Sequence, residues 1–291
     1  MRKDATSDLL GLRGRTAVVL GGAQGLGRSV ARRLAEAGCK VAVADIADDA
    51  GGTLVQEIRG AGGEALYRHT DARRRADVRE LIAAAREELG PLTAAVNVVG
   101  NPGGVQGVKP FLDMTEDDMR ARLDLNFMTA FIACQEEALA MIEDGTDGRI
   151  VNFGSSSGLV GAPNICGYGA AKAAVAHFTI SASMELARYG IRVNCVVPGT
   201  HVNPNAGPPA NEGMADFRRR AAAAPILGRL GEADETAGAA LFLASDLSGY
   251  MTGHTVVSDG GVVHTTARPP VGMNLESEAV RTILETRAQE A

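Results

Sequence analysis

The 291 residues suffice for one large α/β domain or two small ones, and 45% hydrophobic with 22% charged residues is ordinary for a globular chain. A net charge of −6 leaves no basic footprint for nucleic acid, and no run approaches the ~20 apolar residues of a membrane helix. Glycine is in excess, 36 residues or about 12% against a usual ~7%, which points to tight turns or to backbone packed against a ligand.

In chain order, RTAVVL (15–20) reads as a strand, GRSVARRLAEAG (27–38) as a helix and KVAVAD (40–45) as the next strand. A helix over about 48–60 follows, then a strand EALYRHT (64–70), a helix near 74–89 and a strand TAAVNVV (93–99). Later come a long helix near 119–143, a strand GRIVNF (148–153), a helix over about 167–189 and a strand IRVNCVV (191–197). A helix near 233–245 and a short strand HTVVSD (254–259) close the pattern. Strands alternating with helices of this length predict βαβ units and a parallel sheet. Continuous apolar strands suit a sheet covered on both faces. The expected fold is a Rossmann-type doubly wound α/β sheet in a single domain over 1–261, followed by an extension over 262–291. The stretches 100–112, 200–213 and 262–274 are the least regular.

MRKDATSDLL at the N-terminus lacks the apolar core of a signal peptide. Cys39, Cys134, Cys166 and Cys195 are widely spaced, with no CxxC and no ligand-like His cluster. They read as reduced thiols of a cytoplasmic protein with no metal, and Cys166, two residues before Tyr168, as a packing residue.

LGGAQGLGRS (20–29) falls at the first strand-to-helix junction, with Gly21, Gly25 and Gly27 spaced and Gln24 and Leu26 between them. Such a turn lets backbone approach a pyrophosphate that sits on the helix N-terminus. Asp45 ends the second strand, 18 residues past Gly27, where a carboxylate can bond a ribose 2′-hydroxyl. It would repel a 2′-phosphate. Gln24 is neutral and no Lys or Arg directly follows Asp45, so NAD(H) is expected over NADP(H). Read alone, Asp45 also suits a helix cap.

YGAAK (168–172) places Tyr168 and Lys172 four apart, on one face of a helix. An ammonium beside a phenol favours the phenolate, so the pair predicts a lowered Tyr168 pKa.

With these residues together, the chain resembles the short-chain dehydrogenases/reductases from about residue 12 to Gly261. Gly21, Gly25 and Gly27 match that family's glycine pattern, Asp45 its acidic NAD discriminator, and Asp71, followed by Ala72, its adenine-binding Asp. NVVG keeps Asn97 and Gly100 of the turn after the fourth strand, Asn126 matches the Asn of the long central helix, and Ser155 lies thirteen residues before Tyr168. Pro198 and Gly199 match the Pro-Gly turn. Leu20, Val98, Val99 and Gly154 depart from the common pattern, and Asn203 stands where a Thr commonly bonds the nicotinamide carboxamide.

The resemblance implies hydride exchange between NAD(H) and a secondary alcohol or ketone. In that reading Tyr168 carries the proton, Ser155 holds the substrate oxygen, Lys172 bonds the nicotinamide ribose, and Asn126 holds a water leading to Lys172. Two alternatives stay open: an epimerase or dehydratase on the same fold, and a non-enzymatic NAD(H) sensor. Substrate choice is expected from the loops 101–111, 156–167 and 200–225, the last a mobile lid, and their small, apolar make-up suggests a neutral alcohol. Arg218, Arg219 and Arg220 form either a solvated helix face or a contact for an acidic substrate. In the tail, NLESEAVRTILETRAQEA suggests a helix with Val280, Ile283 and Leu284 on one face, read either as loose or as a docking arm. The resemblance also implies a homotetramer or homodimer built through the 119–143 and 167–189 helices.

Overall fold

The computed structural model describes residues 8–103, 108–202, 212–264 and 285–289, except for the side chains of 213, 214, 217 and 218. Seven parallel strands form one sheet in the order β3-β2-β1-β4-β5-β6-β7. They are β1 (Thr16–Leu20), β2 (Lys40–Asp45), β3 (Ala65–His69), β4 (Leu92–Asn97), β5 (Arg149–Phe153), β6 (Arg192–Pro198) and β7 (Thr255–Ser258). The helices are α1 (Gly25–Glu36), α2 (Asp48–Gly60), α3 (Arg75–Leu89), α4 (Glu116–Leu123), α5 (Thr129–Asp144), α6 (Cys166–Leu186), α7 (Glu212–Ala223) and α8 (Ala233–Ala244).

Both faces of the sheet are buried, which is why its strands carry unbroken apolar runs. Side chains alternate along a strand. Ala17 and Val19 of β1 join the core with Val30 and Leu34 of α1, Leu54 of α2 and Leu243 of α8. Val18 and Leu20 face the other way, with Leu81 of α3, Ala133 and Met141 of α5 and Ile150 of β5.

The order reverses between β1 and β4. That opens a crevice outside the carboxyl ends of the strands, where open α/β sheets bind ligands. Every strand-end residue singled out from the sequence sits at this edge.

Two boundaries differ in instructive ways. The fourth strand stops at Asn97 instead of running to 99: Val98 still donates to the Leu20 carbonyl, and the chain then turns at Gly100, φ +138°. The central helix starts early, at Glu116, because Thr115 and Asp118 form a reciprocal cap. It is also broken. Residues Asp124–Met128 form a single π-turn between α4 and α5, a local widening often found at functional sites. Within 200–225 the described parts of the expected lid are residues 200–202 and 212–225, the latter mostly α7. Residues 285–289 of the tail are helical and exposed. Val280, Ile283 and Leu284 lie outside the described residues.

Candidate active site

The N–H groups of Gly21, Gly22 and Ala23 are spent on the Ala44 carbonyl and on Asp45, so the donors the turn offers a ligand are those that open α1, which have no partner within the helix. Gly25 begins α1 at φ +51° with nothing within 4 Å of where a β-carbon would sit, so a ligand can meet bare backbone. At Gly27 a β-carbon would collide with the Gly21 carbonyl, so only glycine lets α1 pack on the turn. Gln24 makes no side-chain cap and the first turn of α1 holds no acid, leaving the positive helix end to an anion. Leu26 turns inward against the core. These features fit a dinucleotide pyrophosphate.

Asp45 is tied to the turn it was expected to serve. Its Oδ2 accepts from Ala23 N at 3.0 Å, while Oδ1 accepts from Ile46 N at 2.8 Å and Ala47 N at 3.2 Å. It therefore shapes the loop ahead of α2 without being that helix's cap, which is Ala47, and still stands half-buried at the strand end. Asp71 is held by Arg73, whose Nε and Nη2 donate at 2.9 and 2.7 Å, and that hydrogen-bonded guanidinium keeps the carboxyl below its usual range. An adenine amine at Asp71 would share it with Arg73. Ala72 beside it is buried.

Asn97 requires a correction. Its side chain is 3% exposed and its amide nitrogen donates inward, to Glu137 Oε2 and Asn152 Oδ1, so the side chain does not face the crevice. Gly100 does reach the site: a β-carbon there would lie 2.5 Å from Asn126 Oδ1 and 2.8 Å from Lys172 Nζ. Pro198 ends β6, and Gly199 packs so closely on Asp259 that a β-carbon would meet its backbone at 2.7 Å. Asn203 lies outside the described residues.

Ser155, Tyr168, Lys172 and Asn126 converge at the carboxyl edge. Of the three adjacent serines, Ser155 is the one whose hydroxyl acts on the Tyr168 phenol, favouring its ionised form. Its Oγ also accepts from Ser157 N at 3.2 Å. Lys172, 3% exposed, donates from Nζ to the Phe153 carbonyl at 2.8 Å and the Val99 carbonyl at 3.3 Å. Asn126 Nδ2 donates to the Asn101 and Arg122 carbonyls at 3.1 and 3.0 Å. Its Oδ1 is buried without a partner among the described residues, on the side shared with Lys172 Nζ. An orphaned buried acceptor beside an ammonium is a site for a bridging water.

The electrostatics reverse one expectation. Burial pushes the Tyr168 phenol above its ordinary value, and only the hydrogen bond with Ser155 pulls it down. Lys172 does not acidify it here, because its ammonium is turned to two carbonyls and burial lowers its own pKa to about 8.

Other groups fall outside this cluster. A cavity of about 460 Å³ is lined by His201, Ile226, Leu227, Arg229, Thr236 and His264 among others, with none of the four catalytic candidates. His201 replaces what the sequence reading left unremarked: its Nδ1 contacts the Gly199 carbonyl at 2.9 Å and its Nε2 the Thr236 hydroxyl at 2.7 Å, tying the segment after the Pro-Gly turn to α8. Burial lowers its pKa and so favours the neutral ring. No short motif marks it. Arg219 and Arg220 are exposed and paired with Glu212 and Asp216 of their own helix, which matches the solvated-face reading; the Arg218 side chain lies outside the described residues. Cys166 is only half-buried, with its sulfur 3.6 Å from that of Met114.

Comparison with known proteins agrees with this arrangement. Residues 21–263 match the family model described as enoyl-(acyl carrier protein) reductase. A 2,5-dichloro-2,5-cyclohexadiene-1,4-diol dehydrogenase of Sphingobium indicum is 36% identical over 250 residues, 86% of this chain and 97% of that protein. A cis-4-hydroxycyclohexanecarboxylate dehydrogenase of Sinomonas cyclohexanicum is 37% identical over 85% of this chain and 96% of its own length. The crystal structure of a short-chain type dehydrogenase/reductase from Mycobacterium marinum superposes with a TM-score of 0.79 at 35% identity, covering 89% of this chain and 99% of that one. An actinorhodin polyketide ketoreductase solved with NADPH gives a TM-score of 0.77 at 29% identity, covering 86% and 98%. With the glycine turn, the seven-stranded sheet and the Ser155, Tyr168 and Lys172 cluster in place, the chain belongs to the short-chain dehydrogenase/reductase family and is an oxidoreductase.

Proposed function

We propose that the protein interconverts a neutral, ring-borne secondary alcohol and its ketone with NAD(H), using Tyr168 as the proton-transfer group. The observation that carries this reading is the convergence of Ser155 on Tyr168, with buried Lys172 one helical turn behind, at the edge where the glycine turn opens. A bound nicotinamide supplies the redox half, accepting a hydride from the carbinol carbon or returning one. The protein supplies the proton half.

In the reductive direction the neutral phenol of Tyr168 donates its proton to the ketone oxygen as that oxygen becomes an alkoxide. In oxidation the phenolate takes the same proton back. Ser155 donates its hydroxyl to the substrate oxygen and holds it against Tyr168, while its own lone pair is anchored by Ser157 N. In this reading Lys172 bonds a cofactor ribose, and a water on Asn126 Oδ1, which has no partner among the described residues, leads a proton toward solvent.

Preference for NAD(H) rests on Asp45 at the strand end, with Asp48 and Asp49 opening α2 behind it, where a 2′-phosphate would meet like charge. A ring alcohol is supported by the names of the two bacterial relatives, both dehydrogenases of six-membered carbocycles. The exposed apolar Leu159 and Val160, just after Ser155, offer such a ring a surface. We also assign the protein to the cytoplasm, on its four free thiols, and to a homotetramer or homodimer through α5 and α6.

The test is a panel of cyclic secondary alcohols with NAD⁺ and NADP⁺. NADH formation is expected, with Tyr168→Phe losing roughly 1,000-fold or more in kcat while still binding NADH, and Lys172→Ala losing both binding and turnover. Near-normal turnover by Tyr168→Phe overturns the reading. Tight NADH binding with no turnover on any alcohol would favour a cofactor sensor.

A further inference from the structure

Behind the catalytic residues, on the α5 face of the sheet, lies a carboxyl that the mechanism above does not use. Glu137 is 1% exposed. Asn97 Nδ2 donates to Glu137 Oε2 at 3.0 Å and to Asn152 Oδ1 at 3.1 Å, so both amide hydrogens are spent. Asn97 and Asn152 are register partners on β4 and β5. Asn152 in turn donates to Thr179 Oγ1 of α6 at 3.1 Å. The remaining polar atom of the rung, Asn97 Oδ1, is buried with no donor among the described residues.

One proton resolves both oddities. A buried carboxylate with no cation beside it is costly, and so is a buried acceptor without a donor. The arginines that α3 sends toward α5 are taken by other carboxylates, Arg75 and Arg79 by Glu136 and Arg86 by Glu143 and Asp144. Among the described residues the groups that face Glu137 are uncharged: Asn97 from β4, itself bonded to Asn152 of β5, and, on its own helix, the Cys134 thiol, which burial pushes up. Burial likewise raises Glu137 to about 7.

The rung leads straight to the active-site lysine. Phe153 follows Asn152, and Val99 comes two residues after Asn97; their carbonyls are the two acceptors of Lys172 Nζ. We propose that Glu137 carries a proton donated to Asn97 Oδ1, and that this acid–amide pair, through the Asn97–Asn152 rung, is a positioning device for the carbonyls that hold Lys172. The positioning role rests on the catalytic reading given above; the protonated pair does not.

The test compares Glu137→Gln with Glu137→Ala. Gln presents an N–H and a carbonyl in the same places, so Glu137→Gln should keep kcat within about twofold and leave the pH profile of alcohol oxidation in place. Glu137→Ala should lose roughly tenfold to a hundredfold in kcat and displace that profile, as a misplaced catalytic group does. Infrared spectra of the wild type at pH 6 should show a protonated-carboxyl C=O band that Glu137→Gln lacks, a readout that holds even if the Ala variant does not fold. Absence of that band overturns the pair. A folded Glu137→Ala with wild-type kcat and profile, or a Gln variant as damaged as Ala, overturns the positioning role. Undiminished turnover by Tyr168→Phe, with the band present, would instead strike at the catalytic reading alone.

Discussion

At Tyr168 burial and hydrogen bonding pull the phenol in opposite directions, and burial wins. The group therefore holds its proton at neutral pH. Reduction, which needs the neutral phenol, should be nearly flat in log(kcat/KM) from pH 6 to 8. Oxidation, which needs the phenolate, should rise with a slope near one into the alkaline range; a maximum near pH 6 would contradict the assignment. Gly100 offers a steric test. A methyl there meets Asn126 Oδ1 and Lys172 Nζ at 2.5 and 2.8 Å, in a backbone region that L-residues avoid. Gly100→Ala should lose roughly 100-fold in kcat and, because the strained backbone costs about 1–3 kcal/mol, several degrees of thermal midpoint, by steady-state kinetics beside a melting curve. Tyr168 and Lys172 on one helix face were readable from their spacing, since helix geometry fixes it, whereas Ser155 among three adjacent serines was picked out by the family resemblance. The sign of the Tyr168 shift was not, because desolvation depends on what the whole fold lays over the ring. Asn97 misled for a related reason: a polar residue at a strand end has two faces to choose from, and only α5 with Glu137 decides which.

The elements were legible wherever apolar periodicity or a cap marked them. All seven strands and the helices α1, α2, α3, α5, α6 and α8 follow from their hydrophobic patterns. The missed start at Glu116 was written in Thr115 and Asp118. The π-turn at Asp124–Met128 has no such signature, since its residues are ordinary helix formers and only the packing of Asn126 reveals it. At this scale Glu137 makes a prediction about stability. Its folded pKa, raised to about 7 from an ordinary 4.5, means the folded state binds more protons than the unfolded one between those values. Its contribution is thus full below about pH 4.5 and is lost as pH rises to about 7. Urea titrations at pH 5 and 7.5 should show the wild type gaining on Glu137→Gln at the lower pH. The carboxyls with the opposite shift, among them Asp118 and Glu235, each lowered to about 2 by a hydrogen-bonded cation, are common to both proteins and cancel in the difference.

For the whole molecule, α5 and α6 leave Leu139, Ile142, Ile180 and Met184 exposed on one side of the sheet. These are the side chains through which the proposed homotetramer or homodimer would associate. Met184→Glu should move the sedimentation coefficient toward that of a single chain, while a monomeric wild type would refute the assembly. The alternation of strands and helices made the doubly wound topology legible, because parallel neighbours need crossovers and crossovers have one hand. The substrate loops stayed illegible: irregular backbone carries no period to read. One consequence belongs to the time course of folding. Lys172 is gripped by carbonyls 73 and 19 residues earlier in the chain, and the rung behind it spans 55. Contacts that distant form late, after loop-closure entropy has been overcome. On dilution from denaturant the helical circular dichroism should return first and dehydrogenase turnover only with the last phase, and a chain cut before β6 should recover neither the grip on Lys172 nor any rate.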